Sequence, residues 1–408
     1  MEKLKKILFI TFSMFLGSCH SSTQKATVKD GIIHINILEN YPSKKINLKD
    51  IADIEYVPLE TTNDVLLDQT ALLHYVSKNY ILLIERNRGN VYLFDRNGKV
   101  VSHFNHRGGG PEEYLVMSSV VFDEKNEEIF VFSDYGSTGT GQIIAYSFTG
   151  EFKRSLKYPA DLSLKAYNFD DETMLVYDSK YLYRDDYSKM PYMFLSKRDG
   201  NITSILNISL SERYDNRVYF QTTDASGQLI NTGAVLTIPN KLSDGQDFVI
   251  ADVSSDTIYW LSKNGDLKPF IVTTPSVHST NPHVVCTHLN KTDKYILLFI
   301  IPFDYVALRN GETPSGKTLM YEFKTGKIYN VNNFGGDTNA STVQKNIEAR
   351  LIDAEVLRGA FDNDQKDLER LVNIIGEEDK NKLFKGMEQF IVTLGEEDNP
   401  VVMIMKYQ

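Results

Sequence analysis

The chain has 408 residues, 42% of them hydrophobic, and its 54 acids outnumber 44 bases to give a formal net charge of −10. An acidic surface repels phosphate backbones and anionic headgroups, which excludes nucleic acid as an expected partner and excludes membrane attachment through protein charge. Two cysteines cannot build a disulfide framework, so the core must hold by burial, and the length suits one large β domain or two ordinary ones.

Lys3, Lys5 and Lys6 form a positive start, residues 7–15 are apolar, and Leu16, Gly17, Ser18 and Cys19 follow. An apolar run of about nine residues falls short of the roughly 20 that a spanning helix needs. Residues 1–18 therefore read as a secretory leader. The Leu-Gly-Ser-Cys quartet resembles a bacterial lipobox, in which the cysteine thiol takes a diacylglycerol and becomes the first residue of the mature chain. This predicts a lipid anchor, palmitate included, on Cys19; the alternative is an ordinary leader cut after Ser18. Without the leader the net charge is near −12 and Cys286 is the remaining thiol, so no intrachain disulfide is expected. Residues 19–30 read as the anchor and a polar tether. Residues 20–25 hold no acid, which favours the periplasmic face of the outer membrane over the cell surface.

From residue 31 to about 330, short β-branched or aromatic runs alternate with Gly, Asn and Asp turns. One phrase recurs: an apolar run, one to three polar residues, a glycine, and a second extended run. It occurs at residues 91–100, 143–152, 192–201, 258–267 and 319–328. Its glycines, Gly98, Gly150, Gly200, Gly265 and Gly326, can take the positive φ a hairpin turn requires. They are spaced by 52, 50, 65 and 61 residues, a period that suits four-stranded propeller blades with variable loops. Residues 51–59 and 400–407 read as strands from the two ends that complete a sixth blade. Two β-sandwiches are the rival reading, but their strands recur without this longer period. Leu368, Leu371, Val372 and Ile375 fall on one helical face, and Leu383, Met387, Phe390 and Leu394 on another. The expected fold is all-β: a six-bladed β-propeller over residues 31–408, closed by strands from both termini, with a helical insertion over about residues 364–394.

Four segments carry candidate chemistry, each beside a plainer structural reading. In residues 107–114, three glycines permit close backbone approach, Arg107 suits a carboxylate or sulfate, and Glu113 and Tyr114 add an acid and a ring. The plainer reading is an inter-blade connection braced by Glu113 and Tyr114, with His103 and His106 just before it. In residues 177–187, Tyr181, Tyr183, Arg184 and Asp185 suit a sugar-stacking surface, against a long hairpin with solvated charges. His278, His283, Cys286 and His288 have the residue types of a metal site. On a strand, however, His283 faces away from Cys286 and His288, so core and loop roles are expected. Residues 136–141 are glycine-rich but lack a phosphate loop's lysine and helix. Asp178, Glu113 and Asp304 are scattered carboxylates that a propeller axis could gather.

Asp50-Ile51-Ala52-Asp53-Ile54-Glu55-Tyr56-Val57-Pro58-Leu59-Glu60-Thr61-Thr62 resembles the opening of the six-bladed β-propeller lipoproteins common in Bacteroidetes-type bacteria. Residues 107–114 resemble that family's Gly-x-Gly-Pro-x-Glu-Tyr segment, and Asp398-Asn399-Pro400 is similar to its C-terminal motif. The resemblance implies fold and export and carries no catalytic residue. The expected function is an envelope-anchored, non-catalytic binding or scaffolding module for a glycan, a peptide, another small molecule or a protein, without cofactor or metal. The alternative is a carbohydrate lyase or hydrolase using Tyr, His and carboxylates at the axis.

Overall fold

The computed structural model describes residues 25–46, 50–133, 140–159, 162, 164–178, 190–208, 214, 217–223, 226–235, 247–310, 312, 315–332, 341–344, 346–375, 377–395 and 397–407. Residues 1–18, Cys19, the glycine-rich residues 136–139 and the tyrosine-rich residues 179–187 lie outside these residues.

The strands form six blades in a ring, the six-bladed propeller expected from the repeat and the resemblance. Blade one is Leu72–Val76, Tyr80–Glu85, Asn90–Asp95 and Val100–Asn105. Blade two is Ser119–Asp123, Glu128–Ser133, Thr140–Ser147 and Phe152–Pro159. Blade three is Leu164–Asn168, Thr173–Asp178, Tyr192–Ser196 and Ile202–Ile205. Successive strands within each are antiparallel neighbours. By that alternation, the second-to-third-strand loops and the blade-to-blade connections share one end of the ring, the connection end.

Each repeated phrase is a hairpin between the last two chain-ordered strands of its blade, with its glycine at φ between +67° and +85°. At Gly98, an added Cβ would overlap the carbonyl oxygen of Pro58, and at Gly150 it would press on the ring of Phe104. Those turns are glycine because they pack against the preceding blade.

Blades four and five depart from the simple repeat. Blade four holds Asp247–Ala251, Thr257–Ser262 and Leu267–Thr274. Before it in sequence comes a separate hairpin, Arg217–Thr223 with Leu229–Val235, which accounts for the long spacing from Gly200 to Gly265. Blade five is His283–Lys291, Tyr295–Phe303, Lys317–Glu322 and Ile328–Asn332, with the short helix α1 (Tyr305–Arg309) in its second-to-third-strand loop. The N-terminal segment straps both blades from outside. Ile32–Asn36 runs parallel to Leu267–Thr274, with Thr27–Lys29 beyond it, and Ser43–Lys45 runs parallel to Ile328–Asn332.

Blade six closes the ring as expected. Ser341–Gln344, Ile347–Ile352 and Val401–Tyr407 come from the C-terminal part, and Ala52–Pro58 from the N-terminal part pairs antiparallel with Val401–Tyr407, Met403 opposite Tyr56. The helical insertion begins earlier than expected and has three helices: α2 (Ala354–Phe361), α3 (Gln365–Ile375) and α4 (Glu377–Ile391). Gly359 inside α2 obscured it in the sequence. Its place is taken because the glycine lies against the carboxylate of Asp367 on α3, where a Cβ would not fit.

The core is a series of layers between blades, which explains the uninterrupted apolar runs. One cluster joins blades six, one and two; another joins blades two and three; others join three to four, four to five, and six to the helices and blade five. A middle strand such as Val91, Tyr92, Leu93 and Phe94, at most 3% exposed, is covered on both faces.

Candidate functional site

Residues 107–114 lie at the connection end between blades one and two, and their polar groups are turned inward. Tyr114 is fully buried. Its hydroxyl donates to the carbonyl of Gly89 at 2.5 Å and accepts from the amide of His106 at 3.1 Å. Burial pushes that hydroxyl up to about 12. Glu113 accepts from the amide of Gly110 at 2.8 Å and fills the space a side chain at residue 108 would need. Arg107 is exposed and donates to the carbonyl of Asn87. His106 bonds the carbonyl of Gly150 at 2.7 Å and stacks on Tyr146 at 4.8 Å. His103 stacks on Tyr92 at 4.5 Å. Tyr114 therefore braces blades one and two, while Glu113 holds the glycine loop. Tyr181, Tyr183, Arg184 and Asp185 lie outside the described residues.

The histidine group separates. His278 and His283 meet the ring of Tyr214, at 5.0 and 4.0 Å between centroids. Cys286 and His288 are buried within blade five, and burial pushes the thiol up to about 12. No group of three potential metal ligands occurs among the described residues. The scattered carboxylates do not converge. Asp304 caps α1 by accepting from the amides of Val306 and Ala307, Glu113 holds Gly110, and Asp178 is buried in blade three.

The innermost strands carry further polar groups. His74 lies on the innermost strand of blade one, and Arg86 directly follows that blade's second strand at the connection end. Lys165 and Tyr167 lie on the innermost strand of blade three, where Leu164 and Ala166 alternate with them to pack against blade two. Blade two's innermost strand runs between the two groups. It accepts at the carbonyl of Val120 from His74 Nε2 at 2.8 Å and at Ser119 Oγ from the amide of Ala166 at 3.0 Å. Yet the charge of Arg86 is felt by His74, Lys165 and Tyr167 alike. His74 and Lys165 thus stand on inner strands that flank blade two's, while Tyr167 packs against the apolar layer that blade three shares with blade four.

The titration of these groups is shifted by their surroundings. Water reaches Arg86 and Lys165, yet crowding by protein is the first cause lowering both cations from their ordinary values. Burial, then the charge of Arg86, hold the His74 imidazole down at about 4. Its Nε2 faces a carbonyl, which can only accept, so Nε2 carries the proton and the ring is neutral. Burial pushes the Tyr167 phenol up to about 12, so it stays a donor. None of the four stood out in sequence. The available signal was Lys165, a lone lysine alternating with apolar residues at the start of a blade.

A second hollow of about 390 Å³ lies between the closing blade, the Gly98 turn and α4. Its polar walls are engaged with one another. Asn399 donates to the carbonyls of Glu60 and Val65 at 2.8 and 2.9 Å and accepts from the amide of Leu67 at 2.8 Å. Glu60 accepts from the amide of Val100 at 2.9 Å and from Lys99 at 3.1 Å. These bonds make it a structural seam more than a site.

Among solved structures, the fold is similar to that of a protein from Bacteroides fragilis NCTC 9343 described as exported. That match has a TM-score of 0.58 at 14% identity and covers 92% of this chain and 99% of that one. A member of the duf4221 family from Bacteroides vulgatus ATCC 8482 aligns over 88% of this chain and 97% of its own, at 8% identity and a TM-score of 0.45. At such identities the likeness is one of fold. No curated protein matches the chain. The family model described as Domain of unknown function (DUF4934) matches residues 32–406, a span that takes in all six blades and the helical insertion, and the chain belongs to that family.

Proposed function

We propose that the protein is an exported, non-catalytic binding module whose ligand enters at the connection end and seats in the axial opening between blades one and three. The observation that carries this reading is that the inner strands of blades one and three, on either side of blade two's, carry the polar residues His74 and Lys165 among apolar neighbours. The inner end of a propeller is where ligand sites of concave, partly polar lining are expected. Both residues offer hydrogen-bond donors, and Lys165 adds positive charge. Glycan fragments and short peptides are the ligand classes to test. In a thermal-shift screen, the chain from residue 20 onward, which keeps every described strand, gains melting temperature with a ligand that binds only the folded state. Lys165→Ala abolishes that gain. A ligand that protects both forms equally places binding elsewhere and defeats the axial reading.

The leader and the likeness to a protein described as exported support transport out of the cytoplasm. In this reading Cys19 carries the lipid, and the ring hangs from its tether at the periplasmic face of the outer membrane. Cells fed an alkyne analogue of palmitate label the parent protein and leave Cys19→Ser unlabelled. Equal label on both would remove the anchor.

One observation favours the enzyme alternative. His278 Nε2 lies 3.0 Å from the carbonyl of Ser254, which fixes its proton there, so Nδ1 accepts from the hydroxyl of Tyr214 at 2.8 Å. A tyrosine hydrogen-bonded in this way can pass its own proton to Nδ1 as its oxygen takes one from a substrate.

A further inference from the structure

We propose that the corner of blades four and five beside the tether is a membrane-docking surface, where lysines and Trp260 meet anionic lipid headgroups. The inference rests on the reading of Cys19 as the lipid-bearing residue and adds which side of the ring faces the lipid.

The tether limits where the membrane can be. Five residues separate Cys19 from Lys25, the first described residue, and six residue steps reach at most about 20 Å. Lys25 pairs antiparallel with Lys327, and the amide of Ala26 donates to the carbonyl of Gly326 at 3.0 Å. The chain therefore joins the ring at the last hairpin turn of blade five. Ala26 packs with Trp260, Phe270 and Phe323 against the layer between blades four and five. A lipid on Cys19 keeps this corner near the headgroups.

Charge is distributed to match. The turns opposite the connection end at blades four and five, residues 263–268, 291–294 and 322–327, hold six lysines and three acids. The start of the strap, residues 25–30, adds two lysines and one acid. One of these acids, Glu322, is already engaged by Lys44 at 2.5 Å. At the same end of blades two and three, residues 123–128, 147–151, 169–172 and 196–201 hold three bases and nine acids. Local charge thus runs from +4 beside the tether to −6 at blades two and three. The whole-chain charge of −10, read as excluding attachment through charge, conceals this excess. Headgroup attraction fades over a Debye length of about 8 Å, so the surface needs the tether to hold it within range.

The aromatic residues fit the same surface. Trp260, the sole tryptophan, is half-buried and meets Phe270 edge-on at 5.4 Å between centroids. Lys291 Nζ lies 4.3 Å from the Trp260 ring and 5.5 Å from that of Phe323. An indole, apolar with one polar edge, settles at headgroup depth, and lysines extend past it on apolar stems.

The test couples the chain from Cys19 onward, through that thiol, to a maleimide lipid in vesicles; the buried Cys286 does not compete. A phosphatidylcholine spin-labelled on its headgroup then quenches Trp260 fluorescence. Vesicles with about one-third phosphatidylglycerol are expected to give roughly twofold or more the quenching of phosphatidylcholine alone. Salt at about 1 M, where screening acts within about 3 Å, removes the excess. Changing three exposed lysines of the surface together, Lys263→Glu, Lys294→Glu and Lys324→Glu, also removes it. The same change of charge elsewhere, Lys78→Glu with Lys366→Glu and Lys385→Glu, keeps it. Equal quenching of the parent in charged and neutral vesicles, or equal loss in both triple variants, overturns the docking surface. Because coupling supplies the anchor, this test judges the surface, while palmitate labelling judges Cys19.

Discussion

Deleting residues 401–408 is expected to abolish the soluble, cooperatively melting monomer. Val401, Val402, Met403, Ile404 and Met405 are each fully buried. They are divided by face: Val402 and Ile404 belong to the layer shared with blade one, and Val401, Met403 and Met405 to the layer under the helices. Burying an aliphatic or methionine side chain contributes roughly 1.5–3 kcal/mol, so five of them rival the roughly 5–15 kcal/mol that separates a whole domain from its unfolded state. The strand also lies between Ile347–Ile352 and Ala52–Pro58. Its removal strips the ladder partner from the N-terminal strand and bares edges on both neighbours, which invites aggregation. Size-exclusion chromatography and a circular-dichroism melt of the truncated chain give the outcome. A monomer melting within a few degrees of the parent would show that the ring does not depend on this closure. Met403→Ala is the milder form, expected to cost about 2–5 kcal/mol through the cavity it leaves.

That closure could be read from the sequence because its signals are local. A tail of five apolar residues without alternation has to be covered on both faces, and turn glycines at a near-constant spacing have to repeat one hairpin. The outer strap was less legible. Ile33 and Ile35 look like strand residues, but their parallel partner lies in Leu267–Thr274, far along the chain. Backbone ladders of that kind leave no mark on residue type.

The three motifs that carry the family likeness prove to be devices of the fold. Asn399, from the C-terminal motif, donates its own amide to Thr61 at 2.9 Å in the N-terminal motif. Its side chain staples the segment that follows, and Tyr114 in the third motif locks two blades together. Motifs of closure reveal architecture, and here they leave the ligand unspecified. The axial groups give no such signal. Arg86 reads as part of a charged turn before Gly89, and Lys165 as one polar residue in a half-buried strand. Only the closed ring sets the inner strands of blades one and three on either side of blade two's.

Lys197 shows the same gap between residue and role, and it carries the second large effect. It lies in the turn ending at Gly200, where a lysine would ordinarily be solvated, yet it is 3% exposed. Its Nζ donates to Asp123 Oδ2 and Asn168 Oδ1, each at 2.6 Å, and to the carbonyl of Asp170. Asp123 comes from blade two, Asn168 and Asp170 from blade three, so one ammonium pins the two blades together. Lys197→Ala would leave Asp123, 1% exposed, with the amide and side chain of Asn126 as its remaining donors. Removing one partner of a buried pair strands the other charge, and the expected loss is about 3–5 kcal/mol. Lys197→Met with Asp123→Leu removes both charges, keeps most of the volume and should recover a large part of that loss. Chemical denaturation of the two single variants and the double variant closes the cycle. Losses that simply add would show that Lys197 and Asp123 act independently, and the clamp between blades two and three would have to be sought in their apolar layer alone.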